Sequence, residues 1–167
     1  MAVRPFIPYP DRRLRTAVPP LAEVTGETWE IWQDMSDTMY AMPGVGLAAV
    51  QIGVMQRLAV VDASETRDGL VRMANPEVLH ASGKLRSHEE ASPNLPGVSA
   101  PVVRPRAVTV RFLNAGGAVD EQEFVGLWAT SVQHQIDHLD GHIYADRLSP
   151  VKRRMLLARA AKLRRRG

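Results

Sequence analysis

The sequence predicts an α+β domain, and three observations carry that prediction. Apolar residues recur at helical spacing between Glu27 and Met42. Between Arg57 and Val125 come short segments rich in β-forming residues, several ending in Gly, Asn or Pro. After Gly126 the period turns helical again and stays so to the C-terminus. At 167 residues the chain is long enough to bury a core without staples, so one domain over 1–167 is expected, with no internal repeat and no linker.

Each element has its own signal. Residues 1–20 are rich in proline and arginine and read as an extended arm with turns around Pro8, Pro10 and the Pro19-Pro20 pair. Trp29, Trp32, Met35 and Met39 mark the first helix, which has an acidic first turn. The turn Gly44 to Gly46 leads into LAAVQIG and a strand-like run from Arg57 to Asp62. Further strands are predicted over 71–74, 84–90, 107–113 and 121–125. Leu127 to Leu139 suits a second helix, stopped by Gly141 after Asp140. Ser149 and Pro150 start a last helix over 149–167, whose Met155, Leu156, Ala160 and Leu163 give it one packing face.

Composition narrows the chemistry. There is no cysteine, which excludes disulfides and thiolate ligands and leaves histidine, carboxylate or hydroxyl to hold any metal. No apolar run approaches the roughly 20 residues of a spanning helix, and the N-terminus has no secretory signal pattern, so no membrane contact and a cytoplasmic location are expected. Eight of the 21 Lys and Arg fall at or after Lys152, leaving 13 basic against 18 acidic residues in the rest. The body is acidic and the tail basic.

The most informative segment is His134-Gln135-Ile136-Asp137-His138. Residues four apart lie one above the other on a helix, so His134 and His138 can aim two imidazoles at one point. The pattern is that of a metalloprotease helix, H-E-x-x-H, with its proton-transferring glutamate replaced by an amide. Two histidines alone also suit a helix whose imidazoles hydrogen-bond locally. The glycines of Gly44-Val45-Gly46 have two readings as well: close approach to a ligand, or a tight turn before a buried strand. His142 falls outside the helical repeat of the pair and is expected to face solvent.

QHQIDHLDG together with GVGLAAVQIG resembles the peptide deformylase family, which removes the formyl group from N-formylmethionine of nascent chains. MANPEVL, LPGV, the VVRPRAVTV strand and the closing DRLSPVKRR extend the resemblance over nearly the whole chain. It implies antiparallel sheets packed around a central metal-bearing helix. It also implies one divalent metal, iron with zinc or nickel as substitutes, on two histidines and a cysteine. The histidines match His134 and His138, and Ser92 stands where the cysteine belongs. Val45 and Gly46 match substrate-binding positions, and Glu90 and Arg104 match a carboxylate and an arginine that pair behind the site.

This sequence departs from the family's motif at four positions. Ser92 is a neutral, harder ligand than a thiolate, which makes tight metal binding doubtful. The family's oxyanion is held by a glutamine, retained as Gln51, and by the amide of a leucine replaced by Pro93, which has no N–H. Loss of one such donor costs roughly a hundred- to a thousand-fold in rate. Gln135 does not titrate, and general acid–base catalysis is worth on the order of a hundred- to ten-thousand-fold. Ala91 for glycine is mild unless that position needs a positive φ, and Asn94 follows where the motif has serine.

The sequence therefore points to a deformylase-like protein with weak or absent hydrolysis. Two alternatives stay open: a divergent active deformylase, or a non-catalytic module that binds formyl-methionyl peptides or the ribosome. The resemblance implies a ribosome contact for the basic C-terminal helix, whose other reading is a solvated face.

Overall fold

The computed structural model describes residues 2–167. Among these residues seven strands form two antiparallel sheets: β1 Gly46–Ala48, β2 Leu58–Val61, β3 Val71–Ala81, β4 Leu85–Glu90, β5 Ala100–Pro105, β6 Ala107–Leu113 and β7 Val119–Val125. The larger sheet has the order β1-β2-β3-β6-β7, and β4 pairs with β5 in the smaller one. Three helices accompany them, α1 Gly26–Ala41, α2 Leu127–Leu139 and α3 Pro150–Arg166.

Alternation along β2 explains the layering. Leu58 and Val60 pack with Trp32, Met35 and Met39 of α1. Val61 packs with Ala129, Val132 and Ile136 of α2. Successive side chains of a strand point to opposite faces, so one short apolar strand sits between two helices. Every residue of α2 from Ala129 to Leu139 is buried, which makes it the central helix of the fold.

Local chemistry sets the ends of the helices. Thr25 and Thr28 cap α1 reciprocally, side chain to backbone. Ser149 accepts from the amide of Lys152, with Pro150 in the first turn of α3. Gly141 has φ 84°, and a Cβ there would stand 2.9 Å from the carbonyl oxygen of Arg15. Only glycine ends α2 this way while letting the arm pass.

Four expectations are revised. The strand predicted over 71–74 continues to Ala81, because Asn75 takes φ 52° and absorbs Pro76 in a register shift before Glu77 pairs with Arg111. The VVRPRAVTV stretch is not one strand: it divides at Arg106, β5 joining the smaller sheet and β6 the larger. On α3 only Leu156 and Ala160 are buried; Met155 is 63% exposed, since it lies about 100° around the helix from Leu156, and Leu163 is half-exposed. Trp29 likewise stays half-exposed, its indole N–H donating to Ala115 O at 3.0 Å.

The arm is bound to the body along its length. Ile7 N donates to Gln51 O, Tyr9 N to Asn94 O and Val18 N to Leu139 O, and Leu14 is fully buried in a 3₁₀ turn over Arg12–Arg15.

Candidate active site

Four segments converge on one cavity of about 480 Å³. The segment entering β1 supplies Val45 and Gly46, the 3₁₀ turn Ala49–Ile52 supplies Gln51, the end of β4 and its loop supply Glu90, Ser92 and Pro93, and α2 supplies His134 and Gln135. His138 and Arg104 lie behind this lining, both essentially inaccessible to solvent. The ten residues singled out in the sequence are thus drawn to one place.

Behind the cavity runs a buried chain of charges. His134 Nδ1 is 2.8 Å from Glu90 Oε1, and Glu90 takes two hydrogen bonds from Arg104, at 2.7 and 2.9 Å. Arg104 Nη1 also donates to Asp137 at 2.8 Å, and Asp137 accepts two more from Arg147, at 3.0 and 2.8 Å. Burial opposes ionisation of Glu90, but the hydrogen bonds from His134 and Arg104 outweigh it and hold its pKa at about 2. Burial works against the Asp137 carboxylate too, and Arg147 and Arg104 lower its pKa regardless. Burial, with His134 alongside, pushes His138 well below the ordinary imidazole range, so its ring is neutral.

The tautomers follow from these partners. Glu90 accepts only, so His134 donates through Nδ1 and turns Nε2 toward His138, whose own Nε2 is 3.2 Å away. His138 Nδ1 is buried with no hydrogen-bond partner among the described residues.

The loop after β4 forms a second network. Gln51 Oε1 accepts from Ala48 N at 2.9 Å, which turns Nε2 toward Asn94 Oδ1 at 2.9 Å and Ser92 Oγ at 3.4 Å. Ser92 Oγ donates to Asn94 Oδ1 at 3.0 Å. Asn94 Nδ2 donates to the carbonyls of Ile7 and Gln51, at 2.6 and 3.0 Å, so its orientation is fixed as well. The surviving oxyanion donor of the resemblance is therefore already engaged, and Pro93 offers none. Ala91 is not among the residues with left-handed φ, so its replacement of glycine carries no strain there.

Gln135 is buried, and its Oε1 has no hydrogen-bond partner among the described residues. A Cβ on Gly46 would stand 2.3 Å from Ser131 Oγ and 2.5 Å from Gln135 Nε2. With the side chains of Ser131 and Gln135 where they are, the close packing of β1 on α2 leaves no room for a Cβ here, whatever else the glycine serves. His142 is exposed, as its spacing predicts.

Sequence reasoning assigned no role to Asp137 or Arg147 and left that of Asn94 open. Asp137 follows His134 by three positions on the same helix, a spacing that could have suggested it. Nothing local marks the other two.

The polypeptide deformylase profile matches residues 3–154. The chain belongs to the polypeptide deformylase family. It is 42% identical over 167 residues to peptide deformylase 2 of Xanthomonas campestris pv. campestris, covering 98% of both chains. The crystal structure of a peptide deformylase from Legionella pneumophila superposes with a TM-score of 0.90 at 38% identity, over 98% of this chain and 96% of that one. A Met-Ala-Ser-bound class I type b peptide deformylase from Acinetobacter baumannii superposes with a TM-score of 0.82 at 27% identity, over 88% and 99%.

The family uses a divalent metal, and the donor set can be judged against it. Two bonds of about 2.1 Å at a tetrahedral angle place their nitrogens roughly 3.4 Å apart, close to the 3.2 Å between the two Nε2 atoms. The rest of the set does not fit. A metal-bound imidazole normally donates its remote N–H, and His138 Nδ1 has no acceptor. Ser92 is neutral and hydrogen-bonded within the loop. No group of three His, Cys, Asp or Glu that could hold a metal occurs among the described residues. A direct hydrogen bond from His138 Nε2–H to His134 Nε2 pairs the two facing nitrogens without an ion and leaves His138 Nδ1 as the one unpaired atom of the pair among the described residues.

Proposed function

We propose that this member of the deformylase family retains the peptide cleft but hydrolyses N-formyl peptides weakly or not at all. The observation that carries the reading is the 2.9 Å hydrogen bond from Gln51 Nε2 to Asn94 Oδ1, which withdraws the remaining oxyanion donor beside a proline that has none. Gln135 adds the loss of the titrating base, and Ser92 the loss of the anionic ligand. The cavity itself favours retained binding, since it is lined by Val45, Gly46 and the α2 face and a relative of this fold carries Met-Ala-Ser.

The test is turnover of formyl-Met-Ala-Ser with iron, nickel or zinc added. Rates at least roughly ten-thousand-fold below an active family member are expected, from one donor and one base lost as independent factors. Rates equal to those of an active deformylase overturn the proposal, and stoichiometric metal in the purified protein favours a divergent enzyme instead. A variant combining Ser92→Cys, Pro93→Leu, Asn94→Ser and Gln135→Glu should regain activity if the cleft is intact.

The proposal extends to a partner. The exposed basic face of α3, from Lys152 to Arg166, supports weak, salt-sensitive association with the ribosome in the cytoplasm. Equal ribosome pelleting by the full-length chain and a chain lacking residues 149–167 would refute this. No helix among the described residues is long and apolar enough to cross a membrane.

A further inference from the structure

The cavity has two unlike walls. The segment leading into β1 is apolar, with Met42, Pro43 and Val45. The opposing wall, between β4 and α2, presents His88 and Thr130 beside Leu127. Alternation along β4 puts His88 on the same face as Arg86 and Glu90, the face that meets α2 through Glu90 and His134.

The ring of His88 makes no hydrogen bond, ion pair or ring contact among the described residues. Thr130 Oγ1 accepts from Arg86 Nη1 at 2.9 Å, which leaves its own hydroxyl proton to give. Arg86 makes no ion pair among the described residues. Glu89 also borders the cavity, with one carboxylate oxygen taken by Ser99 at 2.7 Å. Ser131 is already used, donating to Val45 O at 2.9 Å.

A peptide whose blocked end reaches His134 and Gln135 places its first side chain about one helical turn away. Thr130 precedes His134 by four residues, a rise of roughly 6 Å along α2. A thioether there is a poor acceptor and leaves the imidazole and the hydroxyl without partners, whereas a carboxamide or carboxylate oxygen accepts from both.

We infer that the His88–Thr130 wall selects, among N-formyl peptides, those whose first side chain ends in an oxygen acceptor, glutamine or glutamate, over methionine. This rests on reading the cavity as a peptide cleft. For the glutamine carboxamide the preference is worth roughly five- to tenfold in affinity, the worth of one or two neutral hydrogen bonds.

Calorimetric titration of the full-length protein in a chelator, with formyl-Met-Ala-Ser, formyl-Gln-Ala-Ser and formyl-Glu-Ala-Ser, tests it, with peptide integrity checked by mass spectrometry. The glutamine or glutamate peptide should bind tighter than the methionine peptide. His88→Leu and Thr130→Val, each shown by melting to be folded, should remove or reverse the difference. Equal affinities, a methionine preference in the unmodified protein, or variants that keep the original ranking overturn the inference while leaving the cleft in place. Failure of all three peptides to bind overturns both the inference and the cleft reading beneath it.

Discussion

Arg104 Nη1 lies 2.8 Å from Asp137 Oδ2, joining β5 to the helix that carries both histidines. The same guanidinium holds Glu90 through its other nitrogens, so two buried carboxylates share one buried cation. Arg147, half-exposed, adds a second cation to Asp137 only.

Replacing Arg104 by leucine strands Glu90 without a cation and leaves Asp137 dependent on Arg147. Breaking a buried pair by removing one partner costs about 3–5 kcal/mol. Chemical denaturation should show a loss in that range, and Arg147→Leu much less. A loss under about 1 kcal/mol for Arg104→Leu would mean that the network relaxes easily.

The same network sets acid sensitivity. Glu90 has a folded-state pKa of about 2 against 4.5 when unfolded. Its contribution is present above pH 4.5 and is lost as pH falls toward 2, because the unfolded chain takes up the proton first. A shift of this size corresponds to about 3 kcal/mol. Urea midpoints between pH 5 and pH 2.5 should fall steeply, and Glu90→Gln should flatten that slope. Parallel curves would count against the assignment.

Asn94 offers a sharper catalytic test. If it sequesters Gln51, the combination Ser92→Cys, Pro93→Leu and Gln135→Glu should stay slower than the same combination with Asn94→Ser added. The expected gap approaches a hundredfold, the usual worth of one oxyanion donor. Equal rates would show that Gln51 turns freely once substrate enters.

Metal content gives an independent reading. Elemental analysis should find well under one iron, nickel or zinc per chain in the purified protein. Ser92→Cys should raise that figure by restoring an anionic sulfur to the cavity that His134 also lines, where the two imidazoles already stand 3.2 Å apart at Nε2. Full occupancy in the unmodified protein would show that a hydroxyl suffices.

Where periodicity is strong, the sequence was enough to place the elements. Leu127 and Leu139 bound α2 as predicted, because a run that is helical throughout stops before Gly141, whose φ of 84° and close contact with the arm only glycine accommodates. Asn75-Pro76 misled because a bulge and a strand end use the same residues, and only pairing with β6 distinguishes them. The site was legible through two motifs, and its losses through side-chain chemistry. The capture of Gln51 by Asn94 was not, since the two lie 43 positions apart and meet only when the arm, the 3₁₀ turn and the β4 loop assemble. The same holds for Arg104 and Asp137, 33 positions apart.

One side chain also makes the start of the chain part of the site. Asn94 Nδ2 reaches the carbonyls of both Ile7 and Gln51, while Tyr9 N returns a bond to Asn94 O. Slow hydrogen exchange at Tyr9 should therefore rise and fall with that at Asn94 and Leu95, as one opening unit. A bulky fusion at the N-terminus that loosened the bonds of Ala2 and Arg4 to Asp34 and Thr38 of α1 would then be passed on to the cleft through only a few residues of arm.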